Sequence, residues 1–238
     1  MGLFRTRPSG VQSDNPLDAS EGRNSWYGER YVLGLGHNRQ NLADEGSYFV
    51  CSNATVGTGI AGHAAPVVAD TDTKALLHLY NGGTKNIIPD FLFLEVTAAG
   101  TAGTIHYAVL YADSRGSTAY SSGGTAITPA NVKPGVGIST GATVYFGAVV
   151  TTTGFTKLGQ QIVREVIPVV QDTVRIVFGS GADNQSSGLT TAGTATNHTS
   201  LNMPPVVIPP GGNLNIAMIR PSQSAAASYQ FGFGYIER

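Results

Sequence analysis

From residue 47 to the C-terminus one pattern repeats: a short run of β-branched and aromatic residues, a break at glycine, proline, serine or threonine, then another run. About ten such runs, with almost no stretch holding a helical period, restrict the chain to an antiparallel β-sandwich or barrel. Strands are expected at 47–51, 74–80, 91–98, 104–111, 143–151, 161–170, 173–178, 206–208, 214–219 and 229–236. Period-two alternation says which faces are covered. In Ile105, Tyr107, Val109 and Tyr111 against His106, Ala108, Leu110 and Ala112 neither face is charged, so both are expected to be buried. In Val174, Ile176 and Phe178 against Arg175 and Val177 only one face need be. Leu158, Ile162, Val163, Val166 and Ile167 also fit helical spacing, but the β-branched residues and Pro168 favour a strand.

The closing unit narrows the choice. Met203-Pro204-Pro205-Val206-Val207-Ile208-Pro209-Pro210-Gly211-Gly212-Asn213-Leu214 brackets a short edge strand between two proline pairs and releases the chain into an inner strand. The fold expected is therefore an all-β antiparallel jelly-roll sandwich over residues 47–238, carrying an extended N-terminal arm over residues 1–46. The polar stretch 179–200 has no strand or helix signal and is expected to be a surface loop.

The arm is set apart by charge, since residues 1–46 hold 11 of the chain's 29 charged side chains. Its large apolar residues, Leu3, Phe4, Leu17, Trp26, Tyr27 and Tyr31, follow neither helical nor strand spacing, so it cannot build its own core and is expected to order against something else. The one tryptophan beside Tyr27 supports that expectation, because aromatic side chains are favoured interface anchors.

Elsewhere charge is scarce. Only 12% of residues are charged, and the net charge of −1 provides no attraction to nucleic acid or to an anionic membrane. A folded monomer of this size exposes roughly 10,000 Å², and such a surface usually carries about 25% charged residues or more. Covering of that surface by partners resolves the mismatch. One cysteine, Cys51, rules out an internal disulfide and points to maturation in a reducing compartment. The N-terminal residues lack an apolar signal core, and no run of 18 apolar residues occurs.

Motifs with chemical meaning fail in their contexts. Gly57-Thr58-Gly59-Ile60-Ala61-Gly62 has the dinucleotide spacing, but Pro66 and the β-branched Val67-Val68 follow where a phosphate-binding helix is required, so it reads as a turn. Gly137-Ile138-Ser139-Thr140-Gly141 has the spacing of a nucleophile elbow, yet Pro134-Gly135 precedes and a strand follows, which is a hairpin. His37, His63, His78, His106 and His198 show no metal-ligand spacing, and Asp70-Thr71-Asp72 lacks the rest of a calcium loop. Glu95 and Glu165 lie in expected strands with nothing to bring them together. No enzyme activity and no cofactor are expected.

A polar arm, a nearly charge-free β domain and long Gly/Ser/Thr/Ala loops give a profile that looks like that of a virion structural protein. Through Val96-Thr97-Ala98-Ala99-Gly100-Thr101-Ala102-Gly103-Thr104, the Pro-Pro-Gly-Gly unit and the ending Tyr229-Gln230-Phe231-Gly232-Phe233-Gly234-Tyr235-Ile236-Glu237-Arg238, the part from about Thr55 onward resembles the jelly-roll capsid cement or decoration proteins of tailed bacteriophages. The resemblance implies a homo-oligomer, with a trimer favoured, made in the host cytoplasm and seated on the outer capsid surface. There it would bridge neighbouring major capsid proteins without binding nucleic acid or membrane. The arm residues Phe4, Arg5, Arg7, Trp26, Tyr27 and Tyr31 are then the expected capsid or neighbour contacts. Two other readings remain open: a carbohydrate-binding tail or fibre component, which requires exposed aromatics clustered on one loop face, and a jelly-roll protein that forms the shell itself.

Overall fold

The computed structural model describes residues 38–53, 55–62, 74–101, 106–113, 116–135, 137–151, 154–164, 168–179, 185–187, 196, 198–219 and 225–238. The chain divides into a unit Met1–Glu45 and a unit Gly46–Arg238. The described part of the first is a helix, α1 (Asn38–Asp44). The rest of the expected arm, residues 1–37, lies outside the described residues. A local turn of helix needs no long apolar period when a glycine ends it, and Gly46 follows at φ 74°.

The second unit is all-β. Its strands are β1 (Tyr48–Ser52), β2 (Ile60–Ala61), β3 (Lys74–Asn81), β4 (Ile87–Ala98), β5 (His106–Asp113), β6 (Tyr120–Ser122), β7 (Thr125–Ile127), β8 (Ala130–Asn131), β9 (Ala142–Val150), β10 (Phe155–Arg164), β11 (Thr173–Phe178), β12 (Gln185–Ser187), β13 (His198–Met203), β14 (Asn213–Ile219) and β15 (Ser228–Glu237). A seven-stranded sheet runs β10-β5-β14-β3-β9-β6, with β7 also on β9. An eight-stranded sheet runs β12-β13-β11-β4-β15-β1-β8, with β2 also on β15. The long strands change sheet at nearly every step: β3 to β4, β4 to β5, β10 to β11 and β14 to β15 all cross. Among the described ladders every pairing is antiparallel except β11 with β13.

One core lies between the sheets. Leu77, Leu79, Leu110, Phe146, Leu214 and Ile216 from one meet Phe49, Leu92, Leu94, Ile176, Phe231 and Phe233 from the other. Phe146 of β9 stacks on Phe231 of β15 with ring centroids 4.3 Å apart, which ties the two sheets through an aromatic pair. Gly147 lets β9 change face beside this pair. Val144 and Phe146 enter the core, whereas Ala148 packs with Ala75 and Val150 in a separate cluster. The reversal uses a left-handed residue at φ 75°, and a Cβ there would lie 2.7 Å from the Ala61 carbonyl oxygen.

Four differences from the expected strands have physical causes. β4 begins at Ile87 and so contains Pro89. Pro89 precedes the stretch that pairs with β11 (Phe91 onward), and the ladder to β15 shifts register nearby, so the missing N–H interrupts no regular pairing with β11. β10 starts at Phe155, six residues before the expected strand, because Thr156, Lys157 and Gln160 occupy an exposed strand that apolar alternation does not reveal. Residues 206–208 form no strand; only Ile208 bridges, to Ile87, since the flanking prolines lack ladder donors. Finally, the expected loop 179–200 contains β12 and the start of β13. In β13 Thr199, Leu201 and Met203 point inward, an alternation masked by its polar members. Its parallel pairing needs a long return connection, and residues 179–197 supply one.

Candidate interaction surface

The arm residues Phe4, Arg5, Arg7, Trp26, Tyr27 and Tyr31 lie outside the described residues. So do His37, His63, Asp70, Asp72 and Glu165, and the side chain of His106 is likewise undescribed. The remaining residues singled out by sequence are placed as follows.

The glycine-rich loop is a turn before β2. Thr58 N–H donates to the Thr55 carbonyl at 3.3 Å, and Gly57 N–H is taken by Gln230 Oε1 at 2.7 Å. Asn53 holds the turn against β15, accepting from Phe231 N–H at 2.6 Å and donating to the Thr58 carbonyl at 3.0 Å. In the elbow-like segment Thr140, rather than Ser139, is engaged. Its hydroxyl donates to Glu237 Oε2 and accepts from the Tyr235 hydroxyl at 2.8 Å, while Gly141 N–H donates to the same carboxylate at 3.1 Å. The C-terminal strand thereby pins the approach to β9. Burial pushes the Tyr235 phenol up, and it pushes the Cys51 thiol up to about 12, so Cys51 stays protonated and unreactive at neutral pH.

His198 is exposed and shares a 2.8 Å hydrogen bond with the Thr173 hydroxyl. His78 is fully buried on the far side of the seven-stranded sheet, 2.7 Å from Asn215 Oδ1. Tyr120 lies across His78 and Tyr145, its ring stacked on Tyr145 at 4.2 Å. Its phenol is raised by burial first and then by Tyr145. Tyr111 stacks on Phe155 at 5.2 Å. Val109, Tyr111, Ala217 and Ile219 make a second apolar cluster on this face. Asn213 Oδ1 and Asn215 Nδ2 are buried there with no hydrogen-bond partner among the described residues. Asn213 also lines, with Asp113, Thr156, Val206, Ile208 and Pro209, a cleft of about 180 Å³. Among the described residues no group of three His, Cys, Asp or Glu could hold a metal ion, and no described helix is long and apolar enough to cross a membrane.

The far side of the eight-stranded sheet is different. Arg175 is exposed, and Phe91, Phe93, Glu95, Thr173, Val177 and Gln230 are half-buried. Phe91 faces Gly234 in register, and Phe93 faces Gly232. The Phe91 ring lies against Gly234 and reaches the edge of Gly232, so it covers backbone that has no side chain of its own, the cross-strand rescue of glycine. Arg175 sits over the Phe91 ring, 5.6 Å from its centroid.

The sheet edges are poor surfaces for strand addition. β6, β7, β8 and β12 are two or three residues long, and short edge strands blunt edge-to-edge pairing. Beside β10 runs the β13 segment: Thr199 Oγ1 donates to the Val163 carbonyl at 3.3 Å and Gln161 Nε2 to the Asn202 carbonyl at 3.5 Å. Faces and loops, rather than edges, are what this unit offers a partner.

Comparison with protein families, with characterised proteins and with solved structures finds no match to this chain.

Proposed function

We propose that the chain is a virion structural protein: a jelly-roll cement or decoration protein that sits outside a capsid lattice as a homo-oligomer, a trimer favoured, and staples neighbouring major capsid proteins. The observation that carries the reading is strand order. Taken as β1, β3, β4, β5, β10, β11, β14 and β15, the long strands run β1-β15-β4-β11 across one sheet and β3-β14-β5-β10 across the other, the interleaving that two Greek keys produce. β9 then adds to the edge of β3, and β13 to that of β11.

Fold alone assigns no function; the surface supplies the second support. Glycine, serine, threonine and half-buried aromatics with few charges suit contact with other protein. Several modest contacts held in one oligomer act at high effective concentration, so the assembly resists internal pressure without any chemistry. Quantitative mass spectrometry of gradient-purified particles tests the reading. Hundreds of copies in simple ratio to a separate major capsid protein are expected; a dozen or so overturn it in favour of a tail or fibre position, and assembly of closed shells by the purified chain alone overturns it in favour of a shell protein. Deleting residues 1–46 is expected to weaken capsid binding, and undiminished binding removes the arm from the mechanism.

The carbohydrate-binding reading is favoured by one observation, the grouping of Tyr111, Tyr120, Tyr145 and Phe155 on a single sheet face. Tyr120 and Tyr145 stack on each other, however, and so use ring faces that a sugar would need. A glycan array is expected to show no hits.

A further inference from the structure

We propose that the outer face of the eight-stranded sheet is a self-complementary contact surface, at which two copies of the chain pack face to face about a two-fold axis with Arg175 of each copy against Glu95 of the other. The inference deepens the proposed function, resting on it only in the expectation that copies meet.

β11 and β4 are adjacent, with Thr173 opposite Glu95 and Arg175 opposite Phe93. All four project from the same side, because Val174 and Ile176, and Leu92, Leu94 and Val96, are the buried members of the alternation. Arg175 and Glu95 are therefore diagonal neighbours with opposite charge. They do not spend that charge on each other. The Arg175 guanidinium lies over the Phe91 ring, and the Glu95 carboxylate makes no hydrogen bond or ion pair among the described residues.

A two-fold axis lying in the plane of the contact exchanges two points when it bisects the line between them. Drawn between Arg175 and Glu95, it sets each residue over the opposite one in the second copy, and two ion pairs form from one pair of positions. This is the arrangement an isologous interface requires, residue i meeting j and j meeting i. The same axis passes close to Phe93, which shares a strand with Glu95 and stands opposite Arg175, so the Phe93 rings of the two copies come together at the centre.

The composition fits. Aromatic residues and arginine are enriched in interface cores, and a polar rim shields them. Here two phenylalanines and one arginine are surrounded by Ser200, Asn202, Thr173 and Gln230, with Gly232 and Gly234 keeping the face low. In a trimer whose own contacts lie elsewhere, this face would join one trimer to the next.

The test is sedimentation velocity on the full chain, purified as the wild type and as the variants R175E and E95R. The wild type is expected to self-associate, more weakly as salt is raised. R175E alone and E95R alone each set like charges against each other twice and are expected to weaken association at least tenfold. Mixed in equal amounts the two variants restore it, because Glu at 175 meets Arg at 95 and Glu95 meets Arg175. Unchanged thermal midpoints show that the variants fold, and the milder R175Q and E95Q are expected to give smaller losses. A monomeric wild type at about 100 μM overturns the proposal, as does association that neither reversal affects or that mixing fails to restore. The copy number in purified particles is read independently, so a failed contact surface and a failed virion assignment are distinguishable.

Discussion

On the seven-stranded sheet the side away from the core is itself packed: Val109 is 1% exposed and Ala217 4%, and His78 lies under Tyr120. On the eight-stranded sheet the corresponding side carries an exposed arginine, half-buried phenylalanines and two glycines. Both sheets lend their inner faces to the same core, so the difference has nothing to do with core formation. It lies in what each strand places at its alternate positions. β5 and β14 alternate apolar with apolar or amide, whereas β4, β11 and β15 alternate apolar with a mixture of aromatic, small, polar and charged residues. A face of the first kind is committed within the fold, whereas one of the second kind keeps its side chains partly exposed.

The contrast can be broken most strongly at Gly234, where a Cβ would run into the Phe91 ring and stand 2.9 Å from the Tyr48 hydroxyl oxygen. G234A is expected to cost about 2–3 kcal/mol by overpacking, read as a lowered urea midpoint. G232A meets nothing closer than Phe91 at 4.0 Å and is expected to fall within about 0.5 kcal/mol of the wild type. Equal losses at both positions would mean that the aromatic rings do not rest on the glycines in the way described.

Across the molecule, N215A removes the oxygen beside His78 Nδ1 in a fully buried setting and is expected to destabilise by about 2 kcal/mol. R175A, on the open face, is expected to change stability by less than about 0.5 kcal/mol. Similar effects at the two would erase the distinction between a committed and a partly exposed face.

Cys51 sharpens the comparison from the inside. Its ordinary value of 9.0 is raised to about 12 by burial. Above pH 9 the unfolded chain loses a proton that the folded chain keeps, so stability is complete below pH 9 and falls as pH rises toward 12. The slope approaches about 1.4 kcal/mol per pH unit. Chemical denaturation at pH 8, 9 and 10 is expected to show the decline, and C51A to remove most of it below pH 10. A small effect of opposite sign is expected at Gln171, a non-glycine residue at φ 77° in the turn before β11. Q171G relieves that strain and is expected to stabilise by about 0.5 kcal/mol, seen as a slightly higher thermal midpoint.

Much of this was legible from residue order. The two-sided burial of β5 follows from its uncharged alternation, and the one-sided burial of β11 from Arg175. Predicted limits of 173–178 coincide with the strand observed. β13 was hidden because its first inward residue, Thr199, is polar and leaves only Leu201 and Met203 to mark the period, and β10 because most of it is exposed; a hydrophobic period cannot report a strand that lacks one. The arm residues chosen as contacts fall outside the described residues. Arg175 and Glu95 are 80 positions apart, and nothing in residue order links them.

Local order by itself determined that the chain is β, where most strands lie and which of their faces are apolar, because side-chain alternation and the conformational limits of glycine and proline act over a few residues. Which strands become neighbours was decided only by the tertiary structure. Partner choice depends on closing long connections around a shared core, and only that closure sets Arg175 diagonal to Glu95, lays Phe91 over Gly234 and sets β13 parallel to β11.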